Sequence, residues 1–446
     1  MERFFGGPVY AALRGLAARG KRKLAMTALL LLIGAIAAPA ALAGEAASAI
    51  DKADTAWILI STALVMFMVP GLAIFYAGMA RRKNVLSTMM QSFFIFAIIS
   101  IQWVLWGYTL SFGEDVSGVI GGFGYLGLNN VSVEPRGTVP HLLFMMFQGM
   151  FAAITVALIT GAYAERIKFS AVLVFSLLWA TIIYDPLCHW VWGGGFLASL
   201  GVLDFAGGIV VHISSGISAL VAAIYIGKRR GFPREHMPPH NLTLTLIGMG
   251  ILWFGWFGFN AGSALAADGT AVVAFVATNS AAAAGTVTWG LVEWAHRGKP
   301  TMLGAMSGAV AGLGSITPAA GFVTPGAAIF IGLAGGLLCY GAVTMLKPRL
   351  GYDDTLDVFG IHGIAGTWGT LATGVFATIG ATGLLAGNPG QLLAQAIGAG
   401  VTVAVSAAGT YGILKVVDMV IGLRVTPEQE MQGLDLTQHE ESGYAL

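Results

Sequence analysis

Two histidines stand where ionisable side chains are expensive. His212 lies near the start of one long apolar run and His362 near the start of another. A titratable group at membrane depth needs a reason to be there. A neutral imidazole carries one N–H donor and one acceptor, so it can orient a small polar solute and pass a proton. Two imidazoles in one apolar lumen cannot both be charged cheaply. The bland alternative for a single buried histidine is a satisfied bond between helices. Context favours a site instead. Leu203-Asp204-Phe205-Ala206-Gly207 precedes His212-x-x-x-Gly216, and Leu356-Asp357-Val358-Phe359-Gly360 precedes His362-x-x-x-Gly366. The two histidines thus hold corresponding places in a repeated pattern. A metal centre would want a third ligand, and the sequence sets none beside either one.

Aromatic residues form the second candidate group. Phe147 and Phe151 are four residues apart and share one helix face. Trp192 falls in the Val191-Trp192-Gly193-Gly194-Gly195 loop, and Trp256, Phe257 and Phe259 precede Ser263. An interfacial aromatic belt and a cation–π cup both fit this pattern. The cup would be worth up to ~2 kcal/mol when desolvated. Asp204 reads first as a carboxylate satisfying orphan N–H groups at a helix start, and second as an attractor of cations. Asp357 has the same options. Asp185, in Tyr184-Asp185-Pro186, is expected at a watery outer helix end. The two cysteines, Cys188 and Cys339, sit in apolar stretches and make neither a disulfide framework nor a metal motif. No nucleophile triad, metal cluster or phosphate loop is visible, so the reading is not an enzyme and needs no cofactor.

The elements that must carry these residues follow from composition. The chain has 446 residues, 56% hydrophobic and 10% charged, against about 25% charged in a soluble domain. That excludes a soluble enzyme, a nucleic-acid binder and a disordered chain. An all-α polytopic membrane protein remains, and the 63 glycines suit close helix contacts. Apolar stretches of spanning length fall near 56–79, 88–111, 141–162, 170–188, 206–227, 241–261, 271–294, 301–318, 323–346, 358–379 and 391–422, giving eleven transmembrane helices. Lys and Arg crowd the odd-numbered breaks: Arg81, Arg82, Lys83; Arg166, Lys168; Lys228, Arg229, Arg230, Arg234; Arg297, Lys299; and Lys347, Arg349. The even breaks hold Arg136 alone. The positive-inside rule makes the odd breaks cytoplasmic, the mature N-terminus external and the C-terminus internal. Residues 1–43 read as a signal peptide, with a basic start, an apolar run and Ala41-Leu42-Ala43 at its end. The histidine motifs open spans five and ten. Phe75-Tyr76-Ala77-Gly78 in span one resembles Phe259-Asn260-Ala261-Gly262 in span six. Five helices per repeat reverse orientation, so the pattern is an inverted repeat plus a final helix, with the site at the repeat interface.

Longer strings carry a family resemblance. FQGMFAAITVALITGAYAERIKFSAVL, VWGGGFLASLGVLDFAGGIVVH, GWFGFNAGSA, LDVFGIHG and DMVIGLRVTPEQEMQGLD resemble the ammonium transporters (Amt/Mep/Rh), from about Asp51 almost to the C-terminus. The resemblance is to the bacterial Amt type. It implies a multi-pass protein of the cell inner membrane serving nitrogen metabolism, a homotrimer and one pore per subunit. It implies an outer ammonium-binding cup of Trp192, Phe147 and Ser263, a phenyl gate of Phe151 and Phe259, and a lumen and proton-relay pair of His212 and His362. Asp204 is then the motif's structural and electrostatic acid, and Trp256 lines the pore. Residues 51–422 form the transport domain. The resemblance further implies that the cytoplasmic tail, 423–446, couples subunits and docks a PII-type nitrogen signal protein. Uptake would recruit ammonium, deprotonate it at the gate and pass ammonia along the histidines, with the proton co-transported. The rivals are a net neutral-ammonia channel and an ammonium sensor acting through a PII-type partner. A sensor with its own signalling domain would need more chain than residues 423–446 supply.

Overall fold

The computed structural model describes residues 50–445, so the signal peptide expected at 1–43 lies outside the described residues. Nine described helices are long and apolar enough to cross a membrane. They are α1 (Lys52–Met79), α2 (Arg82–Phe112), α3 (His141–Tyr163), α4 (Phe169–Ser199, interrupted at Gly193–Gly195), α5 (Gly208–Ile226), α6 (Leu242–Gly262), α7 (Gly269–Arg297), α9 (Pro325–Leu350) and α11 (Pro389–Val420). Two apolar helices are shorter: α8 (Met302–Ile316) and α10, in which Phe359–Gly363 continues into Ile364–Phe376. Together they are the eleven spans of an all-α membrane protein. Among the described residues, strands are confined to two short hairpins between α2 and α3: β1 (Asp115–Val116) with β2 (Ile120–Gly121), and β3 (Pro135–Arg136) with β4 (Val139–Pro140). After α11 come α12 (Pro427–Gln432) and α13 (Leu434–His439).

Burial separates a central helix from a peripheral one. Nearly every residue of α3 is buried, whereas most of α11 is not. A helix apolar all round and enclosed on all sides belongs at the centre of a bundle. The helices that the repeat pairs are also packing partners. Gly258 and Gly262 of α6 abut Ser61 of α1, and Gly71 of α1 abuts Ile251 of α6. A Cβ at Gly216 of α5 would overlap the Gly363 backbone of α10, and one at Gly366 would overlap the Gly208 carbonyl and the His212 side chain. The glycine of each H-x-x-x-G motif therefore lets the opposite helix come within backbone contact.

The histidines share a second local feature. Both sit in a π-helical turn, Gly208–Ile213 in α5 and Phe359–Gly363 in α10. A π turn inserts a residue into the helix and reorients side chains, and such turns recur at functional sites.

Two expectations need correction. The α4 helix reaches beyond residue 188, so Trp192 closes the helical segment Asp185–Trp192 rather than standing in a free loop. The L-D motif also gives the wrong register for the acids. Asp204 stands eight residues before His212, and the acid eight residues before His362 is Asp354, not Asp357. Asp354 accepts the Phe359 amide at 2.8 Å, while Asp357 turns away with φ +61° and pairs with Lys347.

Candidate functional site

The aromatic and histidine side chains form one continuous column. Phe147 and Phe151 stack along α3 with ring centroids 5.0 Å apart. Trp192 meets Phe151 edge-on at 6.1 Å. Phe151 and Phe259 lie 4.3 Å apart, tilted by 32°, a van der Waals contact that leaves no water between them. His212 stacks 6.2 Å from Phe259 and 5.5 Å from Trp256, and His362 follows at 5.2 Å from His212. Helices α3, α5, α6 and α10 and the end of α4 each contribute to the column.

Each member is held by the fold rather than by its own element alone. Trp192 donates its indole N–H to the Asp204 carbonyl at 2.8 Å. Trp256 donates to Thr317 Oγ1 at 2.9 Å. Ser263 donates its hydroxyl to the Phe259 carbonyl at 2.8 Å, which leaves its oxygen free to accept. A Cβ on neighbouring Gly262 would lie 3.1 Å from the Phe147 ring, so the α6 end and Phe147 are adjacent. Asp204 is buried, and its carboxylate accepts the amides of Gly207, Gly208, Ile209 and Val210 at 2.6–3.1 Å. Those four N–H groups are the orphan donors of α5, so this acid is engaged as a cap.

Beyond the stacked rings lies a cavity of about 20 Å³. Its lining is apolar (Met68, Leu72, Phe75 and Leu158 among others) except for Trp256, His212 and His362. The space is of the order that holds one small solute. His212 and His362 meet Nδ1 to Nδ1 at 3.2 Å. One ring must donate there and the other accept, so the two imidazoles are opposite tautomers. His212 Nε2 is buried and has no hydrogen-bond partner. An unsatisfied ring nitrogen costs about 1–3 kcal/mol, and a polar solute in the cavity would relieve it.

Asp185 is not at a solvated helix end. It is buried in α4 and accepts Gln102 Nε2 at 2.7 Å, bridging α4 to α2 away from the column.

A polar network on one face escaped the sequence reading. Arg81 pairs with Glu165, and Arg229 pairs with both Glu165 and Asp353. Arg166 is buried and donates to the carbonyls of Gly227 and Asp353. Burial works to raise the Asp353 carboxyl, but Arg229 and Arg166 hold it below the usual carboxylate range. The tail joins this face: Arg424 pairs with Glu430, Asn84 accepts the Leu434 amide and Asp435 accepts the Ser87 amide. Basic breaks one, three, five and nine and the tail therefore share one side. The sequence signal was the Lys and Arg count, which gave the side but not the acids that pair with them. Among the described residues no cluster of three or more metal-ligating side chains occurs.

A column of aromatic rings leading to a narrow, apolar, two-histidine cavity inside an eleven-helix bundle defines a membrane transport protein for a very small solute. The chain belongs to the Ammonium Transporter Family, whose sequence profile matches residues 56–444. It is 53% identical over 399 residues to an ammonium transporter of Bacillus subtilis, covering 88% of this chain and 98% of that one. Its fold is similar to the crystal structure of Candida albicans Mep2, with a TM-score of 0.82 at 37% identity over 89% of this chain and 94% of that one. It is similar also to a structure titled Sensor Amt Protein, with a TM-score of 0.81 at 31% identity over 87% and 98% of the two chains. Ammonium transport across a membrane is thus the activity that family membership gives this protein.

Proposed function

We propose that the protein takes up ammonium by separating it into ammonia and a proton at the phenyl gate, and that both cross by way of the histidine pair. The observation that carries this reading is the His212–His362 contact, with one ring nitrogen unsatisfied, lining a cavity that is otherwise apolar. Ammonium is recruited at a cup of Trp192, Phe147 and Ser263, where ring faces attract the charge and the serine oxygen accepts an N–H. Water brings no such cationic charge, and potassium brings no N–H donor. The Phe151–Phe259 stack then penalises any ion that keeps its charge, because burying an unpaired ammonium costs far more than burying a neutral amine. Deprotonation removes most of that cost. Ammonia enters the cavity, donates to the free imidazole nitrogen and moves on. The proton that ammonium loses is taken by the free Nε2 of His212, whose Nδ1 proton then passes to His362 Nδ1 across the contact. Asp204 fixes the start of α5 and Trp256 walls the cavity.

The same reading places the basic breaks and the tail in the cytoplasm and the cup outside, in the cell inner membrane. It assigns residues 51–422 to transport and 423–446 to regulation, in a homotrimer with a PII-type protein docking at the tail. Likeness to a structure titled Sensor Amt Protein favours a second reading, in which the same chain reports ammonium to a partner with little flux.

Purified protein in liposomes separates the readings. After an ammonium jump, an inward current that potassium does not elicit is expected. Internal alkalinisation without current would replace proton co-transport with a neutral-ammonia channel. Silence in both would favour the sensor.

A further inference from the structure

We infer that His189, which lies outside the conduction column, is a positioning residue for the outer mouth that holds two acceptors through its two ring nitrogens. Its ring is buried on the last turns of α4. Nδ1 lies 3.0 Å from the Ser111 carbonyl and Nε2 lies 2.8 Å from Asp115 Oδ1. A carbonyl oxygen only accepts. Asp115 also takes the Gly118 amide, at 2.9 and 3.0 Å to its two oxygens. Hydrogen bonds from His189 and from Gly118 hold the Asp115 carboxyl below its ordinary value, so it too is an acceptor. Both ring nitrogens thus face acceptors, and a side chain with a single donor end could hold only one of them.

These bonds fasten the outer hairpin to the end of α4. Trp190 donates to the Val119 carbonyl at 2.6 Å, and the Phe196 amide donates to Gly118 at 3.0 Å. The His189 carbonyl accepts the amides of Gly193 and Gly195, both at 3.0 Å, and so shapes the turn that follows Trp192. A Cβ at Gly193 would overlap both the Ser111 carbonyl and His189 Nδ1, so this close approach depends on glycine. The indole of Trp192, three residues on, is held from the other side by Asp204. The His189 ring is fully buried while the Asp115 carboxylate is 41% exposed, so the outer solution reaches the clasp through Asp115.

The titratable groups on the surrounding elements are few. On its own segment are Asp185 and Cys188, with Tyr184 just before it; α2 brings Tyr108, the hairpin brings Glu114 and Asp115, and the α5 start brings Asp204 and His212. Of these, Asp115 is the one bonded to the ring.

The inference rests on the proposed role of Trp192 in the cup. Loss of the clasp should raise the KM for ammonium roughly tenfold, on the scale of one cation–π contact, with kcat little changed. Current in liposomes would be read against ammonium concentration for the unmodified protein, Asp115→Asn, Asp115→Glu and His189→Gln. Asp115→Asn and His189→Gln should each show that rise in KM, and Asp115→Glu should restore the original value. An unchanged KM in both Asp115→Asn and His189→Gln, or a loss confined to kcat, would overturn the inference. Trp192→Leu tells the two ideas apart: an unchanged KM in that variant overturns the cup itself, whatever the clasp variants show.

Discussion

The Nδ1–Nδ1 contact between His212 and His362 admits a single proton between the rings. The donor ring must then leave its Nε2 bare, and the acceptor ring must carry a proton on its own. In the proposed relay neither histidine can play its part without the other, so their removal should not add. The double variant His212→Ala with His362→Ala is expected to transport no worse than the poorer single variant, since effects within one unit are not additive. Ammonium-jump currents check this, and independent losses that multiply would contradict it. At the proposed cup, Trp192→Leu should raise KM by roughly thirtyfold at most, the equivalent of ~2 kcal/mol of cation–π attraction, while leaving the maximal rate largely intact. The column residues could be named from sequence because their types are out of place: imidazoles in apolar runs and phenyl rings at helical spacing. Asp185 was misjudged for the complementary reason. Its partner Gln102 is 83 residues away, and nothing local announces it. His189 escaped notice in the same way, with Asp115 74 residues distant.

At the scale of the helices, two devices set the histidines face to face. One is the π turn at the head of α5 and of α10, and the other is the glycine that lets each helix touch the other's backbone. Gly216→Ala would force the Gly363 backbone away and separate the pair. Overpacking of this kind costs about 1–3 kcal/mol, so a lower melting temperature and a reduced current are expected together. Gly250→Ala, whose Cβ meets open space, is the control expected to change neither. The repeat itself was visible in the H-x-x-x-G motifs. The register of its acids was not, because Leu-Asp matches by letter while the cap is defined by distance to the histidine. Asp204 and Asp354 share that distance. Asp204→Ala should therefore act first on stability, leaving four α5 amides without their acceptor, and the melting temperature in detergent should fall further than for Trp192→Leu.

For the whole molecule, eleven spans and their common polar side follow from hydropathy and charge, which is why the fold is legible in the sequence. What hydropathy cannot supply is the pairing that locks that side together. Glu165, Arg229 and Asp353 come from three different connections and are buried as a cluster. Removing one partner of a buried pair typically costs 3–5 kcal/mol, because its counter-charge is left unpaired, so Asp353→Asn is expected to lower thermal stability by about that much. The pH dependence has a defined sign. Asp353 is held below its unfolded value, so its stabilising effect is complete above the ordinary carboxylate pKa of about 4. It fades as pH falls through the lower folded value. Melting curves across acid pH should show that loss in the parent protein and not in Asp353→Asn.

The central claim is that ammonia and its proton both travel by the histidine pair. It is tested most directly by currents from proteoliposomes on a solid-supported membrane after an ammonium jump, comparing the parent protein with His212→Ala and His362→Ala. The account predicts an ammonium-specific current in the parent that is abolished, or made unselective toward potassium, in both variants. An undiminished and still selective current in either variant would contradict it.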